Sequence, residues 1–239
     1  MKKVKNAIYL IYVLLLISFP SCQQKDTKVT EIVEQVGLKY CPDKRTSVYE
    51  VETKREKNKI ILKGEILSLE AKNELLSGLK SEGKQVVDKL TLLPHPNLKE
   101  KIHGVVTVSV VQVRKKPDVY YEIITQELLG NEVTILKKKG YWLFCQLEDN
   151  YLGWVMKSSI VAGNQNFIEQ WREPPKLIVM ANFGQVWVNA SEKNNHPVCD
   201  VVLGNKMINL GFGKNWYHVQ LPDGRQGYIK SNLVMECIY

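Results

Sequence analysis

Cysteine and histidine are the residue types through which this chain could perform nucleophilic or metal chemistry. The 239 residues contain five cysteines and four histidines. After Cys22, the remaining cysteines are Cys41, Cys145, Cys199 and Cys237, and none of them forms a C-x-x-C pair. The spacing therefore lacks the signature of a zinc site or a redox motif, and we predict no metal site and no cofactor.

A catalytic cysteine needs a histidine base nearby and is most reactive at the N-terminus of a helix. His196 lies three residues before Cys199, in the stretch "NNHPVC", which is typical of a loop. No cysteine stands in a turn that opens a predicted helix. We therefore assign no catalytic residue and expect that the chain, as given, is not an enzyme.

The N-terminus has the pattern of an export signal. Lys2, Lys3 and Lys5 precede an apolar run of 14 residues, Ala7 to Pro20, which is shorter than the roughly 20 residues that span a bilayer. The run ends in "SFPSC", which resembles a bacterial lipobox, although Phe19 replaces the usual leucine. We expect residues 1–22 to be a signal peptide with Cys22 lipidated; a plain secretory signal or a short uncleaved anchor is the alternative.

These features predict a lipid-anchored protein of the cell envelope, on the periplasmic side of the membrane. The formal net charge of +8 falls to +5 when the three signal lysines are removed. Export argues against a nucleic-acid partner, whereas a mild positive charge favours encounters with carboxylates and phosphates of the cell wall. Solvated lysines without a partner are the alternative explanation of this charge. Lys137 to Lys139 are either such a contact or a solvated hairpin tip. Export also permits disulfides, for example Cys199 with Cys237.

Residues 27–96 read as a small α+β domain. The periodicity predicts a helix over 28–40, two strands in "TSVYEVET" and "NKIILKGEI", a helix capped by Ser68, and a strand in "GKQVVDKLTLL". Direct lipid binding and a structural or docking role are both open for this segment.

From Ile102 onward the chain consists of short β-rich runs separated by turn residues, with almost no predicted helix. Such spacing is typical of small barrels or sandwiches. Residues 162–175 read as a linker between a unit at 102–161 and a second unit at 176–239.

The two units repeat one sequence. "YWLFCQLEDNYLGWV" from Tyr141 matches "NWYHVQLPDGRQGYI" from Asn215, so that Trp142 and Trp216 lie 74 positions apart. Further upstream the register slips by one residue. A constant offset indicates two copies of one supersecondary unit. We expect the two tryptophans to anchor two small cores and Cys145 to be a small core residue on a strand.

The end of the second copy, "W-x-x-V-x-L-x-D-G-x-x-G-Y-I-K-S-x-L-V", resembles bacterial SH3-like domains, as does "VSVVQVRKKPDVYYEIITQELLGNEV" in the first copy. Together with "PDKR" at 42–45, the layout is similar to the N-terminal, non-catalytic part of Bacteroidetes NlpC-like cell-wall cysteine peptidases. The resemblance implies a multi-domain fold, in which a small α+β N-terminal domain is followed by two SH3-like small β-barrels.

SH3-like folds commonly bind extended chains in shallow aromatic grooves. The resemblance therefore points to aromatic residues as ligand-binding candidates, and packing within or between domains is the alternative for each. The candidates are Tyr120, Tyr121, Tyr151, Trp154, Trp187 and Tyr228.

Two functions follow from these expectations. The first is a non-catalytic envelope lipoprotein that binds a peptidoglycan stem peptide or positions a cell-wall hydrolase. The second is the targeting or substrate-shaping portion of an NlpC-like γ-D-glutamyl–diamino acid peptidase whose catalytic domain is missing or encoded separately. A purely structural envelope lipoprotein is a third, weaker alternative.

Overall fold

The computed structural model describes residues 27–237 except 192 and 194. The predicted signal peptide and Cys22 lie outside the described residues. The described part is mostly β-structure, with three α-helices, one three-stranded sheet and two seven-stranded sheets. None of its helices has the length and apolar character needed to cross a bilayer.

The N-terminal part has the helix and strand order that the sequence predicts. It comprises α1 (Thr27–Tyr40), β1 (Tyr49–Glu56), β2 (Lys59–Ile66), α2 (Leu69–Ser81) and β3 (Gln85–Leu92). β1 pairs with β2 antiparallel, and β3 pairs with β2 in parallel. The predicted cap is confirmed, because the Ser68 hydroxyl accepts a hydrogen bond from the Ala71 backbone N–H at 3.0 Å.

A single apolar core joins α1, α2 and this three-stranded sheet. Leu62 and Ile66 on β2 and Leu75 and Leu79 on α2 are fully buried. Each such side chain contributes roughly 1.5–3 kcal/mol through burial. The amphipathic spacing of the two helices is therefore what holds them on the sheet.

The central sheet contains seven strands, all paired antiparallel, in the order β10-β4-β7-β8-β9-β5-β6. They are β4 (His103–Val106), β5 (Val110–Arg114), β6 (Ile123–Leu128), β7 (Glu132–Lys139), β8 (Trp142–Gln146), β9 (Leu152–Met156) and β10 (Ile160–Gly163).

The C-terminal sheet contains the remaining seven strands in the order β13-β12-β16-β15-β14-β11-β17. Read from its other end, this order matches the central sheet strand for strand. The strands are β11 (Lys176–Val179), β12 (Phe183–Trp187), β13 (Pro197–Val202), β14 (Lys206–Gly213), β15 (Trp216–Gln220), β16 (Gln226–Lys230) and β17 (Val234–Glu236). The sequence repeat is thus a repeat of topology.

Local irregularities recur at the same offset. Gly130 and Gly204 both have positive φ, 84° and 87°, and the asparagine after each donates its backbone N–H to the carbonyl three residues earlier at 3.1 Å. The register of β7 shifts around Leu136 and that of β14 around Leu210. The β5 and β12 irregularities are 73 rather than 74 residues apart, as the one-residue slip predicts.

The expectation that tryptophans anchor the two cores is wrong. Successive side chains of a strand point to opposite faces. On β8, Leu143 and Cys145 point into the central core, so Trp142 lies on the other face and is half-buried. Trp216 has the equivalent half-buried place on β15. Both cores are mainly aliphatic, and the prediction for Cys145 is confirmed by its full burial.

The stretch expected to be a helix-free linker contains α3 (Gln165–Arg172). Its Ile168 and Trp171 are buried against Val105 of the central sheet and Ile208 of the C-terminal sheet. The Trp171 indole donates a hydrogen bond to the Gly130 carbonyl at 3.2 Å. The helix forms because these apolar side chains have a shared place to be buried between the sheets.

The two repeated turns also contact each other. Leu129, in the turn of the central sheet, is fully buried in the core of the C-terminal sheet. Its carbonyl accepts a hydrogen bond from Lys206 N–H at 2.9 Å, and the Asn205 amide donates to the Ser109 carbonyl at 2.9 Å. A Cβ on Gly130 would lie 2.4 Å from the Lys206 carbonyl oxygen, so this approach requires glycine.

The N-terminal part packs on the outer face of the central sheet. Val48 and Leu93 form a buried cluster with Leu136 and Leu152 of that sheet. The Leu152 backbone N–H donates to the Arg45 carbonyl at 2.8 Å. The central sheet is therefore held on one side by the N-terminal part and on another by the C-terminal sheet.

The contact made by Leu129 predicts an unequal effect of two equivalent substitutions. We expect Leu129→Ala to lower the free energy of unfolding by about 2–4 kcal/mol, because it leaves a cavity in a core that is not its own. Leu203, 74 residues later, is 50% exposed and serves as the matched control. Urea denaturation followed by circular dichroism measures both, and equal destabilisation would contradict the packing.

Candidate functional site

The loop between β5 and β6 presents the most exposed of the predicted binding residues. Tyr120 has 94% of its surface exposed. The loop backbone is nevertheless fixed: the Asp118 carboxylate accepts from Tyr120 N–H at 3.0 Å, and the Arg114 guanidinium donates to the Tyr121 carbonyl at 2.6 Å. An aromatic ring is thus displayed on a loop whose main chain is held by hydrogen bonds.

Tyr121 lies next to a cation on the same loop. The Lys116 ammonium is 4.5 Å from the centre of the Tyr121 ring and donates to its hydroxyl at 3.3 Å. Tyr121 is 42% exposed. Tyr120 and Tyr121 therefore form, with Lys116, an aromatic and basic surface that we call the β5–β6 loop surface.

Trp154, in contrast to Tyr120, is almost completely buried. It is 9% exposed, and its ring lies 5.1 Å from that of Phe144 on the neighbouring strand. The Lys137 ammonium lies 5.7 Å from the Trp154 ring and is ion-paired with Glu65 of the N-terminal part. Lys137 is therefore not part of a solvated hairpin tip, unlike Lys138 and Lys139, which are exposed.

Tyr151 lies at the junction with the N-terminal part. Its ring packs against the central core, and the Arg45 guanidinium carbon is 5.6 Å from the ring centre. Arg45 is itself fixed by the Asp43 carboxylate at 2.8 Å. The "PDKR" segment thus docks the N-terminal part on the central sheet, and Tyr151 takes part in that packing.

In the C-terminal sheet, Trp187 and Tyr228 are paired directly across neighbouring strands. Both are half-buried, and the Tyr228 ring stacks on His218 at 4.9 Å. His218 and Tyr228 correspond to Phe144 and Trp154 at the 74-residue offset. The central pair is covered by the N-terminal part, whereas the C-terminal pair keeps part of its surface open.

The described cysteines show no arrangement for nucleophilic catalysis. Cys41, Cys145, Cys199 and Cys237 are all free thiols, so the Cys199–Cys237 disulfide is not formed. The Cys41 thiol donates to the Ser47 carbonyl at 3.3 Å, and no cysteine of the described chain is hydrogen-bonded to a histidine. Burial raises the pKa of Cys145 far above its usual range and that of Cys199 to about 11. The Cys145 and Cys199 thiols are therefore protonated at neutral pH.

No group of three or more metal-ligating side chains occurs within residues 27–237, leaving aside the undescribed 192 and 194. The groups that the described residues offer to a ligand are aromatic rings, lysines and hydrogen-bond donors on two related sheets. Sequence reasoning found the loop tyrosines but missed Arg114, Lys116 and Asp118, which hold them. The signal was present, since charged residues flank the tyrosines in "RKKPDVYY".

The comparisons with known proteins relate the central sheet to one domain family. Residues 113–160 match the family model described as "Bacterial dipeptidyl-peptidase Sh3 domain". The gamma-D-glutamyl-L-lysine dipeptidyl-peptidase of Bacillus cereus is 30% identical over an alignment of 116 residues, and the match covers 45% of this chain and 34% of that protein. The chain thus spans about a third of the length of this curated relative.

Two solved structures are also similar. An NlpC/P60 family protein from Bacillus cereus ATCC 10987 is 21% identical, with 56% of each chain covered and a TM-score of 0.48. An NlpC/P60 endopeptidase from Photobacterium damselae subsp. piscicida is 14% identical, with 90% of this chain and 53% of that chain covered and a TM-score of 0.43.

The predicted resemblance to SH3-like relatives of NlpC-type peptidases is confirmed by the domain match and the curated relative. The expectation that the chain is not an enzyme is contradicted by the same comparison, because the relative is named as a peptidase. That expectation rested on the absence of a recognisable nucleophile turn, which is a local pattern and does not report the relationship of the matched 45% of the chain to a peptidase.

The raised thiol pKa values predict how the cysteines react. Below its pKa, a thiol gains about tenfold in thiolate for each pH unit. We expect the alkylation rate of Cys199 by iodoacetamide to keep rising until about pH 11, because burial raises its pKa to about that value. Cys145 should stay unmodified until the protein unfolds. Peptide mass spectrometry at each pH measures both, and a Cys199 rate that levels off near pH 9 would contradict the burial.

Proposed function

We propose that this chain acts in a cell-wall peptidase of the NlpC type, and that its described part holds the peptidoglycan stem peptide for cleavage at a γ-D-glutamyl–diamino acid bond. The relationship to a gamma-D-glutamyl-L-lysine dipeptidyl-peptidase supports this reaction class. The part proposed for the described residues is recognition, through the exposed aromatic and basic side chains of the β5–β6 loop surface. Peptide hydrolysis is thus a property proposed for the protein, and binding is the part proposed for residues 27–237.

We further propose that both seven-stranded sheets are SH3-like barrels and that the N-terminal part is a separate α+β domain. The strand order common to the two sheets and their matching turns support this, together with the domain match at 113–160. SH3-like folds bind extended chains in shallow aromatic grooves, and we propose that the long loop after the first strands forms one side of such a groove here. In the central sheet that loop is the β5–β6 loop.

One observation carries the proposal: Tyr120 is almost fully exposed on a loop whose backbone is fixed. A single exposed ring is common on protein surfaces, but Tyr120 lies on one fixed loop together with Tyr121 and the Lys116 ammonium. A tyrosine offers a flat apolar ring with a polar hydroxyl, which suits a peptide that is partly apolar and partly charged. Because Asp118 and Arg114 already hold the loop, a ligand meets a preorganised surface and less ordering entropy is lost on binding.

The charge of the β5–β6 loop surface also suits a stem peptide. Lys115, Lys116 and Arg114 are contributed by the loop and the strand that leads into it, and Lys115 pairs with Glu122 at 3.3 Å. Carboxylates of the stem peptide would meet a local excess of positive charge. Such exposed contacts supply orientation and encounter rate more than affinity.

The N-terminal part has a supporting role in this proposal. Glu65 holds Lys137, which lies over the rings of Phe144 and Trp154. Trp154 pairs across strands with Arg114, and Arg114 holds the Tyr121 carbonyl. A continuous set of contacts therefore runs from the N-terminal part to the β5–β6 loop, and it fixes the loop without contacting the ligand.

Tyr120 provides the direct test of the proposed function. We expect Tyr120→Ala to weaken binding to purified sacculi about tenfold, because loss of an exposed anchoring ring costs on the order of 1–2 kcal/mol. Tyr120→Phe should keep most of the binding, since the ring face remains. Co-sedimentation with sacculi measures binding, and release of stem-peptide fragments measures hydrolysis by the intact protein.

Tyr141→Ala is the matched control, because Tyr141 is 83% exposed on the β7–β8 hairpin of the same sheet. This variant should bind as the native protein does. Equal losses for Tyr120→Ala and Tyr141→Ala, or no sedimentation of the native protein, would contradict the proposed recognition role.

We also propose export to the cell envelope and lipid anchoring at Cys22, which the apolar run and the "SFPSC" motif support. A single lipid chain gives only reversible membrane binding, and stable anchoring needs more than one. We expect metabolically supplied palmitate to label the native protein and not Cys22→Ala, which should also leave the membrane fraction. Palmitate labelling of Cys22→Ala would contradict the assignment.

A further inference from the structure

We propose that the β1–β2 hairpin is a membrane contact, in which exposed basic side chains bind anionic phospholipid headgroups and orient the protein on the bilayer. Every residue from Glu52 to Lys59 is exposed, on both strands and in the turn that joins them. Within residues 54–59, four side chains are basic and one is acidic. We call residues 54–59 the hairpin tip.

The hairpin tip carries more positive charge than its own carboxylate compensates. The Glu56 carboxylate pairs with the Lys54 ammonium at 2.9 Å. Within the described chain, Arg55, Lys57 and Lys59 take part in no ion pair. Like charges held on one short hairpin raise the local concentration of anions. Three cations of the tip are therefore available to an anionic partner.

The strands behind the tip do not reverse this charge. Glu52, the next acidic residue along β1, lies directly opposite Lys63 of β2, and Lys63 lies beside Lys89 of β3. The hydrogen bond from Lys54 lowers the pKa of the Glu56 carboxyl, and the charges of Lys89 and Lys63 lower it further. The carboxylates of this hairpin end thus lie among lysines, and the surroundings of the tip are positive.

The fold places the tip at the same end of the N-terminal part as the start of α1. Lys28, on the first turn of α1, pairs with Glu82, which directly follows α2, at 2.8 Å. Lys59, at the start of β2, pairs with Gln85, at the start of β3. Because only two residues separate Glu82 from Gln85, these contacts bring the tip, the α2–β3 turn and the start of α1 together.

The proposed lipid anchor is close to that end along the sequence. Thr27, where α1 begins, follows Cys22 by five residues, and five extended residues span at most about 18 Å. Residues 23–26 contain one lysine and one aspartate and add no formal net charge. A chain anchored at Cys22 therefore keeps the tip's end of the domain near the headgroups. This orientation rests on the proposed lipid anchoring, whereas the attraction of the tip for anionic lipid does not.

The opposite end of the N-terminal part holds the central sheet. The Leu93 backbone N–H donates to the Ile66 carbonyl at 2.9 Å, and Leu93 is buried with Leu136 and Leu152 of that sheet. Between Lys59 and Ile66, β2 rises about 23 Å at about 3.3 Å per residue. The N-terminal part thus acts as a spacer that holds the central sheet away from the headgroups.

The shape and composition of the tip suit a membrane surface better than a peptide. Peptide and small-molecule sites are concave, whereas this hairpin end is exposed on both faces. Residues 52–59 contain no apolar side chain, so the contact is electrostatic. Anionic lipids attract each nearby lysine or arginine, and the attraction decays over about 10 Å at 0.1 M salt. The contact should therefore be sensitive to salt, unlike a lipid anchor.

A fluorophore attached through an unnatural amino acid at Asn58 tests the contact. The full chain is incubated with vesicles of phosphatidylcholine and phosphatidylglycerol that contain a lipid with a nitroxide headgroup, which quenches fluorophores at the surface. We expect quenching that weakens several-fold in high salt or without phosphatidylglycerol. A label at Lys44, which is exposed beside the contact with the central sheet, is the matched control and should be quenched much less.

The tip variant combines Arg55→Gln, Lys57→Asn and Lys59→Gln. Asparagine replaces Lys57 because that residue has a φ of 54°, which asparagine tolerates. We expect the contact to weaken about fivefold for each replaced residue. The control variant combines Lys138→Gln, Lys139→Gln and Lys157→Gln, which removes the same charge from exposed positions of the central part. It should be quenched at Asn58 as the native protein is.

Several results would overturn the contact. They are equal quenching at Asn58 and Lys44, equal quenching with and without phosphatidylglycerol, or equal losses in the two triple variants. Loss of sacculus binding by the tip variant, with unchanged quenching at Asn58, would do the same, because the partner would then be the cell wall.

The readouts separate this proposal from the proposed function. Sedimentation with vesicles in high salt reports the lipid anchor, whereas salt-sensitive quenching at Asn58 reports the hairpin tip. Tyr120→Ala should reduce sacculus binding and leave the quenching at Asn58 unchanged. Failure of one proposal is therefore distinguishable from failure of the other.

Discussion

The contact between the two repeated turns is the constraint on which the rest of this structure depends. Leu129 leaves its own sheet and completes the core of the next one, while Gly130 lets the backbone of Lys206 approach closely. α3 then fills the space between the sheets with Ile168 and Trp171. Because apolar burial and backbone hydrogen bonds act at one place, the sheets are joined by a core rather than by a flexible linker.

The repeat gives one scaffold two environments. On the central sheet, the face that carries Phe144 and Trp154 is covered by the N-terminal part, and the binding candidates are left on the β5–β6 loop. On the C-terminal sheet the same face keeps His218 and Tyr228 partly open, and lysines surround Trp216. The two copies therefore differ in what covers this face: the N-terminal part packs on it in the central sheet, whereas in the C-terminal sheet it stays partly exposed.

Local features of the fold were predictable, and features set by tertiary contacts were not. Helical periodicity and the Ser68 cap predict α1, α2 and their boundaries, and the turn residues predict the paired hairpins. The predicted placement of Trp142 and Trp216 in the cores was wrong, because the sequence of a strand does not indicate which of its two faces packs on the core. The sequence analysis did not predict α3, although Asn164 caps it and Phe167, Ile168 and Trp171 have helical spacing. Its apolar side chains are buried between two sheets, and that tertiary contact cannot be read from the local sequence. The sequence did not indicate that Lys193, Lys214 and Lys230 lie near Trp216, because the three lysines are far apart along the chain.

A distance measurement between the sheets tests the central claim most directly. Spin labels attached through unnatural amino acids at Lys138 and Lys214 report the separation of the two equivalent hairpins by pulsed electron paramagnetic resonance. The account predicts a single narrow distance distribution for the native protein and a broader one for Gly130→Ala, whose Cβ would collide with the Lys206 carbonyl. A broad distribution in the native protein, or no change in Gly130→Ala, would contradict it.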